Sequence, residues 1–283
     1  MIKLKYKLNN IEKVIEASSK NKFFFGQDEV LSNALSDPLF GQKWYKKGYK
    51  VFNAFSEKKF QKIKKGVKKT IINTLKEKKI NHENFSLENY HNFIKHEEDH
   101  YKIVSKTRDL FNKDFEDSIR DLKRDLEKSL NIKLSNKNPK NNETAHIIIR
   151  IIRPKSNDYN PPHKDMYEAI DGNSDSTYFS KQLPIINFWI PICGLSSNTS
   201  LPIVPGSHLI NEKEILRTQE GAIMNGNKYR VRLIKDWGDN KFLRPIMNYG
   251  DVLIFSSYLI HGLGTNDNDK TTRMSLEFRL FKS

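Results

Sequence analysis

The spacing of hydrophobic residues changes along the chain near residue 140. Before that position, hydrophobic residues recur at steps of three and four, which is the period of an amphipathic helix. Two series show this spacing: Phe60, Ile63, Val67, Ile71 and Leu75, and then Phe111, Phe115, Ile119, Leu122, Leu126 and Leu130. Ser56 precedes the first series and can cap its helix. The spacing predicts that residues 1–140 form a mainly helical N-terminal part.

From residue 145 the hydrophobic pattern has the period and composition of β-strands. The pattern predicts strands at residues 145–152, 184–192, 201–204, 250–256 and 272–281. Two long connections, residues 165–181 and 210–245, have the length of loops that cover a functional site. Short strands with long connections indicate a sandwich or a jelly roll in residues 145–283. We expect one domain, residues 1–283, of the α+β class. It is predicted to be mainly β, with the N-terminal helices packed outside the sheet.

Composition adds a strong basic excess to this picture. The 283 residues include 49 Lys and Arg against 34 Asp and Glu, for a net charge of +15. Most of the positive charges are lysines spread along the chain, without the arginine-rich patch with interleaved aromatics that is typical of a nucleic-acid surface. We therefore expect no nucleic-acid partner. The lysines either coat a solvated helical surface or attract an anionic substrate.

The cysteine content and the N-terminal sequence indicate a cytoplasmic protein. The chain has one cysteine, Cys193, so no intramolecular disulfide can form, which fits a reducing compartment. The first residues lack the apolar core of a signal peptide. No segment approaches the roughly 20 apolar residues of a membrane span, so we expect no membrane contact. The sequence does not predict the oligomeric state.

Three residues in the predicted jelly roll have the chemistry of a metal site. His163 and Asp165 are two positions apart, so on a strand both side chains point to one face and Lys164 points away. His261 follows an apolar run at residues 250–255 and is the candidate third ligand. Two imidazoles and one carboxylate form the facial triad that holds non-heme Fe(II) and leaves positions open for oxygen and a cosubstrate.

A second group of residues is suited to a carboxylate cosubstrate or an anionic substrate. Arg273 and Ser275 share one face of the last predicted strand, and a buried arginine there needs an anion, which is either a ligand or a structural acid. Asn187 and Trp189 share one face of an earlier strand, so they line the cosubstrate pocket or belong to the core. Arg150 either meets the substrate or forms a structural ion pair.

The region from Ile147 to Leu280 resembles Fe(II)/2-oxoglutarate-dependent oxygenases of the phytanoyl-CoA dioxygenase-like type. The resemblance is carried by His163-Lys164-Asp165, by Leu201-Pro202-Ile203-Val204-Pro205-Gly206-Ser207-His208, by Gly250-Asp251-Val252-Leu253-Ile254-Phe255 before His261-Gly262, and by Arg273-Met274-Ser275. The fold that it implies is a double-stranded β-helix, which is a jelly roll. The first 140 residues match the family only loosely.

The resemblance also implies the cofactors and the roles of the matched residues. His163, Asp165 and His261 would bind Fe(II). Arg273, helped by Ser275, would hold the distal carboxylate of 2-oxoglutarate, and O2 would be the second cosubstrate. The histidine that ends the second matched segment is usually not a metal ligand in similar proteins, so it is expected to have a structural role.

The sequence leaves the substrate open. Because the carboxylate of Asp165 is present, where related halogenases have a small residue, we expect hydroxylation of a C–H bond; desaturation, epimerisation and ring closure remain possible outcomes. The basic charge favours a small polar substrate, for example a sugar-derived, amino-acid-like or phosphonate compound. Candidate substrate contacts in the long connections are Met166, Tyr167, Tyr229, Arg230, Arg232 and Trp237.

Two other functions compete with the oxygenase. His96-Glu97-Glu98-Asp99-His100 matches the His-Glu-x-x-His pattern of zinc hydrolases, which places two imidazoles on one helix face. The acidic residues inside the motif favour a charged helix surface or a loop instead, and no third ligand is evident. A non-catalytic small-molecule binding protein on the same fold is the second alternative.

Overall fold

The computed structural model describes residues 1–26, 37–167 and 184–283. Its strands are β1 (Ile2–Leu8), β2 (Ile11–Ala17), β3 (Phe23–Phe25), β4 (Tyr49–Asn53), β5 (Leu134–Ser135), β6 (Ile147–Ile152), β7 (Ile185–Cys193), β8 (Leu216–Thr218), β9 (Ala222–Met224), β10 (Asn227–Tyr229), β11 (Ile234–Asp236), β12 (Lys241–Phe242), β13 (Asp251–Ser256) and β14 (Arg273–Lys282). Its helices are α1 (Glu57–Glu77), α2 (Tyr90–Phe93), α3 (Glu97–Lys106) and α4 (Leu122–Leu130).

The largest sheet carries the residues that the sequence singled out. It has the order β4-β13-β7-β14-β5, and β6 also pairs with β14. Every pairing in this sheet is antiparallel. All nine residues of β7 are buried, as expected of a central strand that is covered on both faces.

Alternate residues of β7 and β14 face two different environments. One face contributes apolar side chains such as Phe188 and Leu276 to a core that α1 and α4 complete through Ile71 and Leu126. The other face carries Asn187 and Trp189 from β7 and Arg273, Ser275, Glu277 and Arg279 from β14, at alternating positions of each strand. The helices therefore cover the outside of the sheet, and the polar side chains point into the jelly roll.

Two smaller sheets lie on the inner side of the large sheet. The first has the order β10-β9-β2-β1-β12 and the second has the order β11-β8-β3. Their apolar residues, among them Tyr6 and Leu233, share a core cluster with Ile152 of the large sheet and with Ile260. The curled arrangement confirms the expected mainly β jelly roll with helices outside it.

The N-terminal part differs from its sequence-based expectation. Residues 1–140 were expected to be mainly helical, but among the described residues the first α-helix begins at Glu57, and β1 to β4 precede it. The reason is visible in β1, where Leu4, Tyr6 and Leu8 are buried and the lysines between them are exposed. This alternation is the signature of a strand that is half buried. The helix predicted behind Ser56 is present, and the Ser56 side chain accepts a hydrogen bond from the Lys59 amide.

The second helical series and the last long connection also differ from expectation. The series from Phe111 to Leu130 is divided into a 3₁₀ turn at Asn112–Phe115 and helix α4, because Glu116 adopts a φ of 51° between them. Residues 210–245 form five short strands, β8 to β12, rather than an irregular loop. The predicted strand at residues 201–204 is reduced to isolated bridges at Ile203. The other long connection, residues 165–181, lies mostly outside the described residues.

None of the helices in the described ranges combines the length and the hydropathy that a membrane crossing requires.

The packing of α1 against the large sheet predicts that a cavity at this interface lowers stability strongly. Ile71 is fully buried in the cluster that joins α1 to the sheet. We expect Ile71→Ala to lower the free energy of unfolding by about 2–5 kcal/mol, because it removes apolar contacts and leaves a cavity. Chemical denaturation of the variant measures this change. Lys65→Ala, on the exposed side of the same helix, should change stability by less than about 0.5 kcal/mol, and an equal effect of both substitutions would contradict the assigned packing.

Candidate metal centre

Two distant segments meet as a short antiparallel ladder at the candidate site. The His163 amide donates to the His261 carbonyl at 2.9 Å, and the His261 amide donates to the His163 carbonyl at 3.0 Å. Gly262 allows this approach, since its φ is +134° and a Cβ there would overlap the Pro161 carbonyl oxygen. Backbone pairing therefore places both imidazoles side by side, with ring centroids 4.3 Å apart.

The hydrogen bonds of both rings direct the same nitrogen into the site. His163 Nδ1 lies 2.7 Å from the Pro161 carbonyl, and His261 Nδ1 lies 3.0 Å from the Leu259 carbonyl. A carbonyl can only accept, so each Nδ1 carries the proton and each Nε2 has a free lone pair. Both Nε2 atoms face Asp165 Oδ1, at 3.4 Å from His163 and 3.7 Å from His261. Carbonyl contacts of this kind orient histidine ligands in metal sites.

Asp165 is placed by a turn and by an arginine that sequence reasoning missed. Contrary to the expected strand, a 3₁₀ turn begins at Asp165, although Lys164 still points away from the site. Arg279 contacts the carboxylate with Nη2 at 2.6 Å from Oδ1 and Nε at 3.3 Å from Oδ2. Burial raises the pKa of Asp165, but Arg279 and the two imidazoles lower it further, so the net pKa lies well below its usual value. The carboxylate is therefore ionised and ready to bind a cation.

The three side chains meet the requirements of a divalent metal site. One ligand atom from each of His163, Asp165 and His261 lies within 4.8 Å of the others, and all three residues are buried. Within the described ranges, no other group of three or more His, Cys, Asp or Glu residues is so arranged. Burial, followed by the neighbouring His163, lowers the pKa of His261 to about 4, so this imidazole is neutral and able to coordinate at neutral pH.

A buried arginine pocket adjoins the three ligands. Arg273 donates through Nη2 to the Gly264 carbonyl at 2.8 Å and through Nη1 to Ser275 Oγ at 3.2 Å, and its guanidinium lies 5.7 Å from the Trp189 ring centroid. Arg273 Nε, Trp189 Nε1 and the side-chain amide of Asn187 are buried and have no hydrogen-bond partner among the described residues. Unpaired buried donors are costly, so a pocket of this composition fits a carboxylate ligand such as 2-oxoglutarate.

Comparison with known families agrees with this geometry. The sequence profile of the phytanoyl-CoA dioxygenase (PhyH) family matches residues 44–275. The chain belongs to the PhyH family. It is therefore a non-heme Fe(II)/2-oxoglutarate-dependent oxygenase, and its cofactors are Fe(II), 2-oxoglutarate and O2. No curated protein matches the chain.

Solved structures that resemble this chain have low sequence identity to it. AviO1 from Streptomyces viridochromogenes Tue57 is 12% identical, with 89% of this chain and 96% of that chain covered and a TM-score of 0.45. SnoK, a non-heme α-ketoglutarate-dependent carbocyclase from nogalamycin biosynthesis, is 13% identical over 84% of this chain and 81% of that chain, with a TM-score of 0.48. EctD from S. alaskensis is 13% identical over 95% of this chain and 86% of that chain, with a TM-score of 0.47.

Arg150 forms the ion pair that the sequence left as an alternative to a substrate contact. It lies opposite Ser275 in the β6–β14 register. Its Nε and Nη2 are 3.0 and 2.9 Å from Glu277 Oε2, and Glu277 Oε1 also accepts from Ser275 Oγ at 3.2 Å. Arg150 therefore neutralises an acid that also contacts Ser275, beside the candidate carboxylate pocket of this PhyH protein. Glu277 was missed in the sequence, although the alternation of β14 places it on the same face as Arg273.

Tyr167 has a structural contact instead of the predicted substrate contact. Its hydroxyl lies 2.9 and 2.7 Å from the two carboxylate oxygens of Glu212, and the side chain is buried. Arg217 and Arg232 lie over its ring, with guanidinium carbons 4.5 and 5.6 Å from the centroid. Two other candidates, Met166 and Trp237, belong to the core beneath the smaller sheets.

The alternative zinc motif forms no metal site with the residues that the structure describes. His96 is exposed and lies just before α3 begins, whereas His100 is buried inside it. His100 Nδ1 is 3.1 Å from the Tyr90 hydroxyl, and its Nε2 is 3.3 Å from Asp158 Oδ1. Both ring nitrogens are thus used in a structural network. Like His100, His208 lies outside the group that could hold a metal; it packs edge-on against Tyr45 at 4.8 Å.

The buried histidines predict that the metal-free protein loses stability in mild acid. Burial lowers the pKa values of His100, His208 and His261 to about 4 in the folded protein. In the unfolded chain these groups titrate near 6.5, so between pH 6.5 and 4 the unfolded state binds more protons and the free energy of unfolding falls as pH decreases. Thermal unfolding of chelator-treated protein should show this fall, and a constant midpoint across the window would contradict it. His208→Gln should make the pH dependence shallower.

Proposed function

We propose that this oxygenase hydroxylates a C–H bond of a small polar metabolite and releases succinate and CO2. His163, Asp165 and His261 are the proposed iron ligands, and Arg273 with Ser275, Asn187 and Trp189 is the proposed 2-oxoglutarate pocket. The observation that carries the proposal is the convergence of two imidazole Nε2 atoms and one carboxylate oxygen within 4.8 Å. The unpaired Nε of buried Arg273 supports the adjoining carboxylate pocket.

Each residue of the site has a separate task in this reaction. Fe(II) held by His163, Asp165 and His261, with 2-oxoglutarate bound, would supply the O2 chemistry: one oxygen atom would enter the C–H bond, and the other would enter succinate as CO2 is lost. The Pro161 and Leu259 carbonyls keep the imidazoles in the coordinating tautomer. Arg273 neutralises and orients the distal carboxylate of 2-oxoglutarate, and Trp189 covers the guanidinium and excludes water from it.

The proposed carboxylate ligand, Asp165, supports hydroxylation. Asp165 supplies a carboxylate where a halogenase needs an open position for halide, so the protein itself fills three sites on the metal. Arg279 holds this carboxylate through both of its oxygens. A fixed orientation keeps Asp165 available to the metal throughout the reaction.

The charged residues on the inner face of β14 favour a polar, anionic substrate. Along β14, Arg273 and Ser275 are buried, whereas Glu277 and Arg279 are partly exposed, so the inner face opens towards the end of the strand. The Arg279 side chain is 37% exposed although it contacts Asp165. A substrate that enters here meets a guanidinium group next to the metal ligands, which favours a carboxylate, phosphonate or acidic sugar derivative.

Loss of an iron ligand should abolish product formation. We expect His163→Ala and Asp165→Ala to reduce succinate production with a turned-over substrate to background, because two remaining ligands hold Fe(II) weakly. A screen of anionic metabolites for succinate release identifies the substrate, and mass spectrometry identifies a gain of one oxygen atom. Wild-type turnover by either variant would disprove the assigned site. Succinate formation with a product that has lost two hydrogens would support desaturation instead.

Arg273 should govern the affinity for 2-oxoglutarate. We expect Arg273→Gln to raise the KM for 2-oxoglutarate on the order of 30-fold, because loss of one partner of a buried charge pair costs at least about 2 kcal/mol. The affinity for Fe(II) should change far less. Arg153→Gln is a matched control, since Arg153 is also buried but pairs with Asp158 and Glu97 away from the site. An unchanged KM in Arg273→Gln would remove this role.

A further inference from the structure

A fully buried lysine lies between two of the proposed metal ligands. Lys164 is 0% exposed, and its neighbours in the chain are His163 and Asp165. Its Nζ lies 3.1 Å from Glu212 Oε1, on the side of the turn opposite to the metal site. An unpaired ammonium group in the protein interior is strongly unfavourable, so this partner is required for the turn to fold as it does.

Glu212 connects the turn to a part of the chain that is distant in sequence. Besides Lys164, its carboxylate accepts from the Tyr167 hydroxyl at 2.9 and 2.7 Å and from Arg217 Nε at 3.1 Å. A Cβ on Gly26 would lie 2.5 Å from the Glu212 carbonyl oxygen, so the end of β3 packs directly on this residue. Both ends of the 164–167 segment are therefore anchored to one buried carboxylate.

We propose that Lys164, Glu212 and Tyr167 are positioning residues that fix the His163 and Asp165 side chains towards the metal; this inference rests on the proposed iron site. His163 and Asp165 can face the metal together only while the residue between them faces the opposite way. The Lys164–Glu212 pair holds it there, and the Tyr167–Glu212 contact fixes the 3₁₀ turn that carries Asp165.

A positioning role and a purely stabilising role lead to different results for Lys164→Met. Buried ion pairs add little stability compared with apolar residues of similar size. In this variant Glu212 keeps Arg217 and the Tyr167 hydroxyl as partners, so its charge stays compensated. We therefore expect the thermal midpoint of the metal-free variant to stay within a few degrees of wild type. The affinity for Fe(II) should nevertheless fall by about 10- to 100-fold, as is typical when a residue that orients a ligand is lost.

The experiment is an anaerobic Fe(II) titration of the full chain, combined with the visible absorption band of the Fe(II)–2-oxoglutarate complex. We expect weaker Fe(II) binding and a shifted or broadened band in Lys164→Met, and a return towards wild-type values in Lys164→Arg, which can keep the ion pair. Lys64→Met is the matched control because it removes a Lys–Glu pair, Lys64 with Glu88 at 2.6 Å, outside this network. It should bind Fe(II) as wild type does.

Wild-type Fe(II) affinity and an unchanged band in Lys164→Met would overturn the inference. If this variant does not fold, Tyr167→Phe decides, because it removes only a hydroxyl: a roughly 3- to 10-fold loss of Fe(II) affinity supports the inference, and no loss overturns it. Failure of the proposed function gives a different result. In that case the wild-type protein does not bind Fe(II), or binds it equally well after His163→Ala.

Discussion

The candidate metal site depends on the backbone pairing of His163 with His261. These residues are almost a hundred positions apart, and two hydrogen bonds of 2.9 and 3.0 Å bring them side by side. Paired strands hold directly opposite side chains within about 5.5 Å of each other, a separation that a single metal ion can bridge. Without this pairing, Arg273, Asp165 and the carbonyl groups that orient the rings would not surround a single site.

The second constraint is the alternation of side chains along β14. Met274, Leu276 and Phe278 face the helices and stabilise the fold, while Arg273 and Glu277 lie on the inner face, where both contact Ser275. A one-residue shift in the register of this strand would exchange the two sets and destroy both the core and the site. The same hydrogen bonds thus secure the stability of the fold and the position of the candidate cosubstrate pocket.

Much of the site could be read from the sequence because short-range geometry determines it. The spacing of His163 and Asp165, and of Arg273 and Ser275, already implies a shared face. The apolar run at residues 250–255 indicated His261 as the third candidate ligand, and the family resemblance agreed with it. Arg279 was not found because its importance depends on a contact with Asp165, 114 positions away in the chain. The role of Tyr167 was misjudged for the same reason, since its partner Glu212 lies on a distant turn.

The fold was predictable where a pattern was long and regular, as in α1 and β14. It was not predictable where short segments pair over long distances. The five strands between residues 210 and 245 have two or three residues each, too few to show a period, and they exist because neighbouring strands supply their hydrogen bonds. Apolar and lysine residues alternate in the sequence of β1, but the prediction for residues 1–140 was based on the helical series that begin at Phe60 and Phe111.

The position of β1 has a consequence for how the protein is made. This first strand forms a parallel pair with β12, and the Tyr6 hydroxyl donates to the Ile234 carbonyl, 228 residues further along. On the ribosome, β1 and β2 can form a hairpin early, yet the strand partner β12 and the Ile234 carbonyl are synthesised only much later. The hairpin of β1 and β2 is thus incompletely paired during synthesis, and its lysine-rich outer face helps to keep it from associating with other nascent chains.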